Sequence, residues 1–154
     1  MFTKNTHFGE LDLDIISKKC PRSTAKLVEF MTDALLKFQQ RVIEEFKNEN
    51  GGSDEDLDVP ELTEILVKES IINLFTSGQM RSLFEFFDRN DVLIDIIPPD
   101  AVVNWTWNIH NSARKVESSS PNSYVDRSRA EASGFSGAFE ILEKLLGQSD
   151  QEQS

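Results

Sequence analysis

Cysteine is nearly absent from this sequence: Cys20 is the only one in 154 residues, which excludes an internal disulfide and a cysteine-built zinc site. Histidine is almost as scarce. His7 and His110 leave few imidazoles for proton transfer or metal ligation. No apolar run approaches the roughly 20 residues that a membrane span needs, and Met1-Phe2-Thr3-Lys4 lacks the apolar region of a signal peptide. No membrane contact and a cytoplasmic location are therefore expected. Positive charge is also in deficit, with 16 Lys and Arg against 27 Asp and Glu, a formal net charge of -11. That balance repels nucleic acid and anionic lipid alike, so direct nucleic-acid binding is not expected and a basic protein is the expected partner. Phosphate-cradling glycine loops, Gly-x-Ser-x-Gly elbows and His-Glu-x-x-His zinc motifs do not occur. No catalytic residue, metal site or cofactor is expected.

What the chain does have is 38% hydrophobic and 28% charged residues, interspersed, which supports a packed core in one domain. The boundaries expected are 1–147 for a single helical domain and 148–154 for a disordered tail. After Pro21, Ser23 or Thr24 can cap a helix carrying Leu27, Met31, Leu35, Phe38, Val42 and Phe46 at three- and four-residue spacing, closed by Gly51-Gly52. Asp58 with Glu61 resembles a capping box, and Pro60 suits a first turn, which predicts a second helix over 58–76. Apolar residues wrap most of its second half, so Ile72 and Phe75 are expected to be inaccessible and this helix central.

Past Gly78, Met80, Leu83, Phe84 and Phe87 form a helical stripe. Val92 to Ile97 fits either a short strand or a continuation of that helix, until Pro98-Pro99 ends it. Asp100 can then cap a helix with Val102, Trp105, Ile109, Ala113 and Val116 on one face, running into a polar loop at 117–123. A last helix from about Asp126 holds Phe135, Phe139, Leu142 and Leu145, with Gly147 as terminator. Residues 11–15 alternate like a strand, yet Asp12 and Asp14 ahead of Lys18 and Lys19 suit a helix dipole, and helix is favoured there. The fold class is all-α: one irregular bundle of five or six helices, with a small two-stranded ribbon allowed between 10–16 and 92–97.

Three groups of residues invite a functional reading. Between 44 and 69 the chain holds ten acids (Glu44, Glu45, Glu49, Asp54, Glu55, Asp56, Asp58, Glu61, Glu64, Glu69) against Lys47 and Lys68, which is -8 of the whole -11. Its plain alternative is a solvated loop with two acidic helix ends. Asp54, Asp56 and Asp58 take the first ligand positions of a calcium loop, but Val59 and Ile65 occupy positions that need Gly and Glu, so that match fails. On a helix, Val103, Trp107, His110 and Arg114 form one ridge, offering either an imidazole with a cationic stabiliser or an aromatic and arginine contact, against plain core packing. Ala130, Ser133, Gly134, Gly137 and Ala138 form a small-residue stripe that suits close internal packing or, in an oligomer, self-association through the Ala130–Ala138 helix.

Cys20 beside Lys18, Lys19 and Arg22 suggests a lowered thiol pKa, although no base is identified for it. Arg89-Asn90-Asp91 begins like the arginine motif of one compact helical family of RNA-cutting domains, but no histidine follows in range and the likeness stops there. The expectation is an acidic, non-catalytic protein that masks a basic partner, such as an immunity protein against a nuclease toxin (a toxin-antitoxin arrangement) or a phage protein blocking a host defence enzyme. Partner contact is assigned to Glu49, Asp54, Glu55, Asp56, Asp58, Glu61, Glu64, Trp107, His110 and Arg114. The alternatives are a hydrolase or nuclease using His110 with carboxylates, and a self-associating structural subunit.

Overall fold

The computed structural model describes residues 11–49, 51, 61–76, 80–113 and 117–153. Its elements are α1 (Leu13–Lys19), α2 (Pro21–Glu49), α3 (Glu64–Thr76), α4 (Met80–Arg89), β1 (Leu93–Ile97), β2 (Thr106–His110), β3 (Glu117–Ser119) and α5 (Arg127–Gln153). The molecule is mostly helical with one small antiparallel sheet in the order β1-β2-β3. Helices and a ribbon were expected, but the sheet has three strands and different partners. Residues 93–97 pair with 106–110, whereas 13–19 are helix.

Local chemistry explains the elements that match. Asp12 caps α1 through its carboxylate, accepting the Asp14 and Ile15 amides at 2.8 and 3.3 Å, with Lys18 and Lys19 in the last turn. At the end of α4 the Val92 amide donates to Phe87 O at 2.9 Å and the Asp91 amide to Asp88 O at 3.1 Å. This is a Schellman closure with Asp91 at φ 59°, and it seals the helix by burying Val92 against Phe87. The Asp91 carboxylate then accepts both the amide and hydroxyl of Ser112, tying the helix end to the turn after β2.

Four expectations are corrected. First, the described residues 100–113 hold no helix: Asp100 does cap, accepting the Val102 and Val103 amides at 2.8 Å each, but it caps only a turn that delivers the chain into β2. Val102 is solvent-exposed rather than part of an apolar stripe. Second, α3 starts at Glu64, six residues later than expected, because the Thr63 hydroxyl accepts the Leu66 amide at 3.1 Å and serves as the cap. Third, Phe75 is buried as expected but Ile72 is 46% exposed. Fourth, α5 passes through Gly147 to Gln153, so residues 148–153 are helical and glycine does not terminate there.

The core is a cluster of phenylalanines between α3, α4 and α5. Phe87 meets Phe139 edge-on at 4.9 Å and stacks on Phe135 at 5.9 Å, while Phe75 meets Phe139 at 6.3 Å. The sheet lays its inner face on α5. Ile94, Ile96, Trp107 and Ile109 share that face by register, and Gly134 and Gly137 of α5 make room for the Trp107 ring. A Cβ at Gly137 would come within 2.9 Å of the indole, so glycine is required by a close approach. The small-residue stripe is thus spent on internal packing. Self-association through it would first have to expel Trp107.

α2 begins without a cap of its own. Ser23 and Thr24, either of which was expected as the cap, both lie inside the helix; Ser23 is fully buried, its hydroxyl donating to Phe139 O at 2.9 Å, and the Thr24 hydroxyl donates to Cys20 O at 2.8 Å. The free amide of the first turn instead finds Glu143 of α5, whose carboxylate accepts Ser23 N–H at 2.9 Å and pairs with Arg22 at 3.2 Å. Glu143→Ala should therefore cost about 1–2 kcal/mol, the usual loss on removing a cap, and Glu143→Gln less, because an acceptor remains. Urea denaturation of the two variants checks the order.

Candidate interaction surface

The 29 residues of α2 span about 43 Å. Only its first half reaches the core, through Leu27 and Met31, and beyond Met31 no α2 residue is fully buried. α2 is in contact with α3. The far half of α2 carries Glu44, Glu45 and Glu49, while Glu64 and Glu69 stand on α3 and Glu61 three residues ahead of it. All six are solvent-exposed. Of the sequence-assigned contact residues, Glu49, Glu61 and Glu64 are thus exposed to solvent. Asp54, Glu55, Asp56 and Asp58 lie outside the described residues. Lys68 is turned inward on this charge by its 3.0 Å pair with Glu64.

Trp107 and His110 do not share a helical ridge, because both lie on β2. On a strand, residues three apart face opposite ways. Trp107 points inward, 4% exposed, donating its indole N–H to Ser133 Oγ at 2.9 Å, and the same Ser133 oxygen lies 2.6 Å from the Tyr124 hydroxyl. Arg114 lies outside the described residues. His110 points to the outer face, where Nδ1 lies 3.6 Å from Asp95 Oδ2 and Glu117 is its cross-strand partner. A shallow cavity of about 190 Å³ opens there, lined by Asp95, Asn108, His110, Glu117 and Ser119 among others. Sequence reasoning missed this polar group because it placed 100–116 on a helix. The alternation Thr106-Trp107-Asn108-Ile109-His110 was the signal for it.

Cys20 is buried between α1 and α5 and lines a cavity of about 330 Å³ with Ile15, Ile16, Lys19, Ser136, Phe139 and Glu140. The expected lowering of its pKa is reversed. Burial pushes the thiol above its ordinary 9.0, Glu143 and Glu140 push the same way, and Lys19 opposes them most weakly. Iodoacetamide should accordingly modify the folded chain about tenfold more slowly than the urea-unfolded chain at pH 8. Because the unfolded thiol ionises first, Cys20 leaves stability unchanged below pH 9 and lowers it as pH rises through the folded value. Cys20→Ala should remove that alkaline loss in denaturation curves.

Two apolar side chains of the helix expected to be central are exposed. On α3, Ile65 is 70% exposed, and Ile72 lies two turns further along the same stripe. The signal was the apolar circumference of this helix, which exceeded what one buried face can use. The described residues hold no cluster of three or more metal-ligating side chains, and no described helix is long and apolar enough to cross a membrane. Comparisons with protein-family models, with curated proteins and with solved structures return no match for this chain.

Proposed function

We propose that this chain is a non-catalytic binding protein that engages a basic protein partner through the acidic region formed by the far half of α2 and by α3. The observation carrying the reading is the exposure of six carboxylates on and just ahead of two helices in contact, Glu44, Glu45 and Glu49 of α2, Glu64 and Glu69 of α3, and Glu61 three residues before α3. A surface of that sign speeds encounter with a basic protein and occupies ground that a polyanion would otherwise hold. Inhibition of a nucleic-acid-cleaving toxin or of a defence enzyme is the biological form that fits, since such enzymes hold phosphates on a basic groove. Affinity capture with the wild-type chain and with a Glu44→Lys/Glu61→Lys/Glu69→Lys variant tests it. Basic proteins should be retained by the first and released by salt, and not retained by the second. Identical retention on both would refute the reading.

A second reading, hydrolysis at His110, draws on the Asp95–His110 approach inside a polar cavity that also holds Glu117 and Ser119. The two readings part at His110→Ala. A binding protein keeps its partner affinity within about threefold, because one imbalanced contact is worth well under 1 kcal/mol at a rim. A hydrolase loses all turnover.

A further inference from the structure

The cavity between α1 and α5 takes no part in the partner reading, and its lining is layered. Ile16, Cys20 and Phe139 are 6%, 3% and 1% exposed and form its floor, whereas Ile15, Lys19, Ser136 and Glu140 stand at its mouth. Helical spacing produces the layers. Ile15 and Lys19 stack one turn apart on α1 beside Ile16 and the capping Cys20, and Ser136 and Glu140 stack one turn apart on α5. We infer that this cavity binds a free aliphatic amino acid, with its side chain on the apolar floor and its two charged groups held at the mouth.

The volume of about 330 Å³ lies at the small end of ligand pockets and equals the space of about ten waters, which suits one small molecule. Polar groups converge on it without being used by the fold. Among the described residues, the side chains of Lys19, Ser136 and Glu140 have no hydrogen-bond or ion-pair partner. The dipole of α1 accounts for a lysine in its last turn. It does not account for Ser136, a weak helix former in the middle of α5 whose hydroxyl bonds nothing. Lys19 and Glu140 act on the Cys20 thiol with opposite sign, which brings both charges close to the floor.

The two signs decide the class of ligand. A simple apolar carboxylate would pair with Lys19 but face the like charge of Glu140, and an apolar amine would meet the reverse. A free α-amino acid satisfies both. The Lys19 ammonium and the Ser136 hydroxyl donate to its carboxylate, Glu140 accepts from its ammonium, and Ile16, Cys20 and Phe139 receive an aliphatic side chain. The terminal residue of a peptide carries only one of the two charges and fits less well.

Isothermal titration calorimetry on the full chain with leucine, leucinamide, N-acetylleucine and glycine tests this. Leucine should bind about tenfold or more tightly than each of the others, which lack the carboxylate, the ammonium or the aliphatic body. Lys19→Gln should weaken leucine about tenfold without weakening leucinamide, and Glu140→Gln should weaken it as much without weakening N-acetylleucine. Both side chains are exposed, so circular dichroism should stay that of the wild type. Ser136→Phe, which fills the mouth, should abolish binding. Absence of binding with leucine at up to about 10 mM, or equal binding of leucine and its blocked derivatives, would overturn the inference. Leucine binding that neither charge variant alters would put the ligand outside this cavity and overturn it as well.

Discussion

Trp107→Ala should be among the most destabilising single changes in this chain, costing about 3–5 kcal/mol by urea denaturation, out of the roughly 5–15 kcal/mol that holds a domain of this size together. The indole fills the space that Gly134 and Gly137 leave on α5, so its removal opens a cavity between helix and sheet that neither glycine can refill. It also strands a hydrogen bond. Ser133 Oγ loses the indole N–H and keeps only Tyr124. Trp107→Phe should cost less, about 1–3 kcal/mol, since a ring remains but the N–H donor goes. A near-neutral Trp107→Ala would mean that β2 does not pack on α5 through this residue. The sheet face carrying His110 and Asp95 would then have no rigid support.

A larger effect is expected in kinetics. Reversing Glu44, Glu61 and Glu69 to Lys changes the net charge from -11 to about -5. Association with a basic partner should slow by about 10- to 100-fold at low salt, with dissociation changing far less, because long-range charge acts on encounter. These side chains are exposed, so helical content and stability should be almost unaffected. The effect should fade toward about 0.5 M salt, where the screening length falls below the spacing of the charges.

The parts of the fold that could be read in advance are those in which one physical signal had no rival. In α2 and α5 the three- and four-residue recurrence of Leu27 and Met31, or of Phe135, Phe139 and Leu142, matches only a helix, and the same residues are buried. The segment 100–116 carried two signals at once. Val102, Trp105, Ile109 and Ala113 recur as on a helix, while Trp105, Trp107 and Ile109 alternate as in a strand. Pairing decided the matter: Ile94 and Ile96 lie across from Ile109 and Trp107, and the four apolar side chains cover α5 together. That pairing is non-local, so no window of sequence around 100–116 contains it.

The candidate surface was legible in the same uneven way. Charge needs no fold to be counted, so the acidic run holding Glu49, Glu61 and Glu64 stood out in the sequence, and all three side chains are exposed. Whether a helical side chain faces the core or water depends on which neighbours arrive, and Ile72 went the other way from Phe75 three residues on. Caps showed the same limit. Asp58 looked like the start of α3 and Ser23 like the start of α2, but Thr63 and the distant Glu143 supply those bonds. A cap from another helix leaves no local trace.

The most direct test of the acidic region as the docking site is the association rate of the captured partner, measured by stopped flow against ionic strength for the wild-type chain and for Glu44→Lys/Glu61→Lys/Glu69→Lys. The account predicts a rate for the wild type that falls steeply as salt rises, and a variant that is slower at low salt and nearly flat, the two curves converging near about 0.5 M. Superimposable curves at every salt concentration would contradict it, and would move the interface away from α2 and α3.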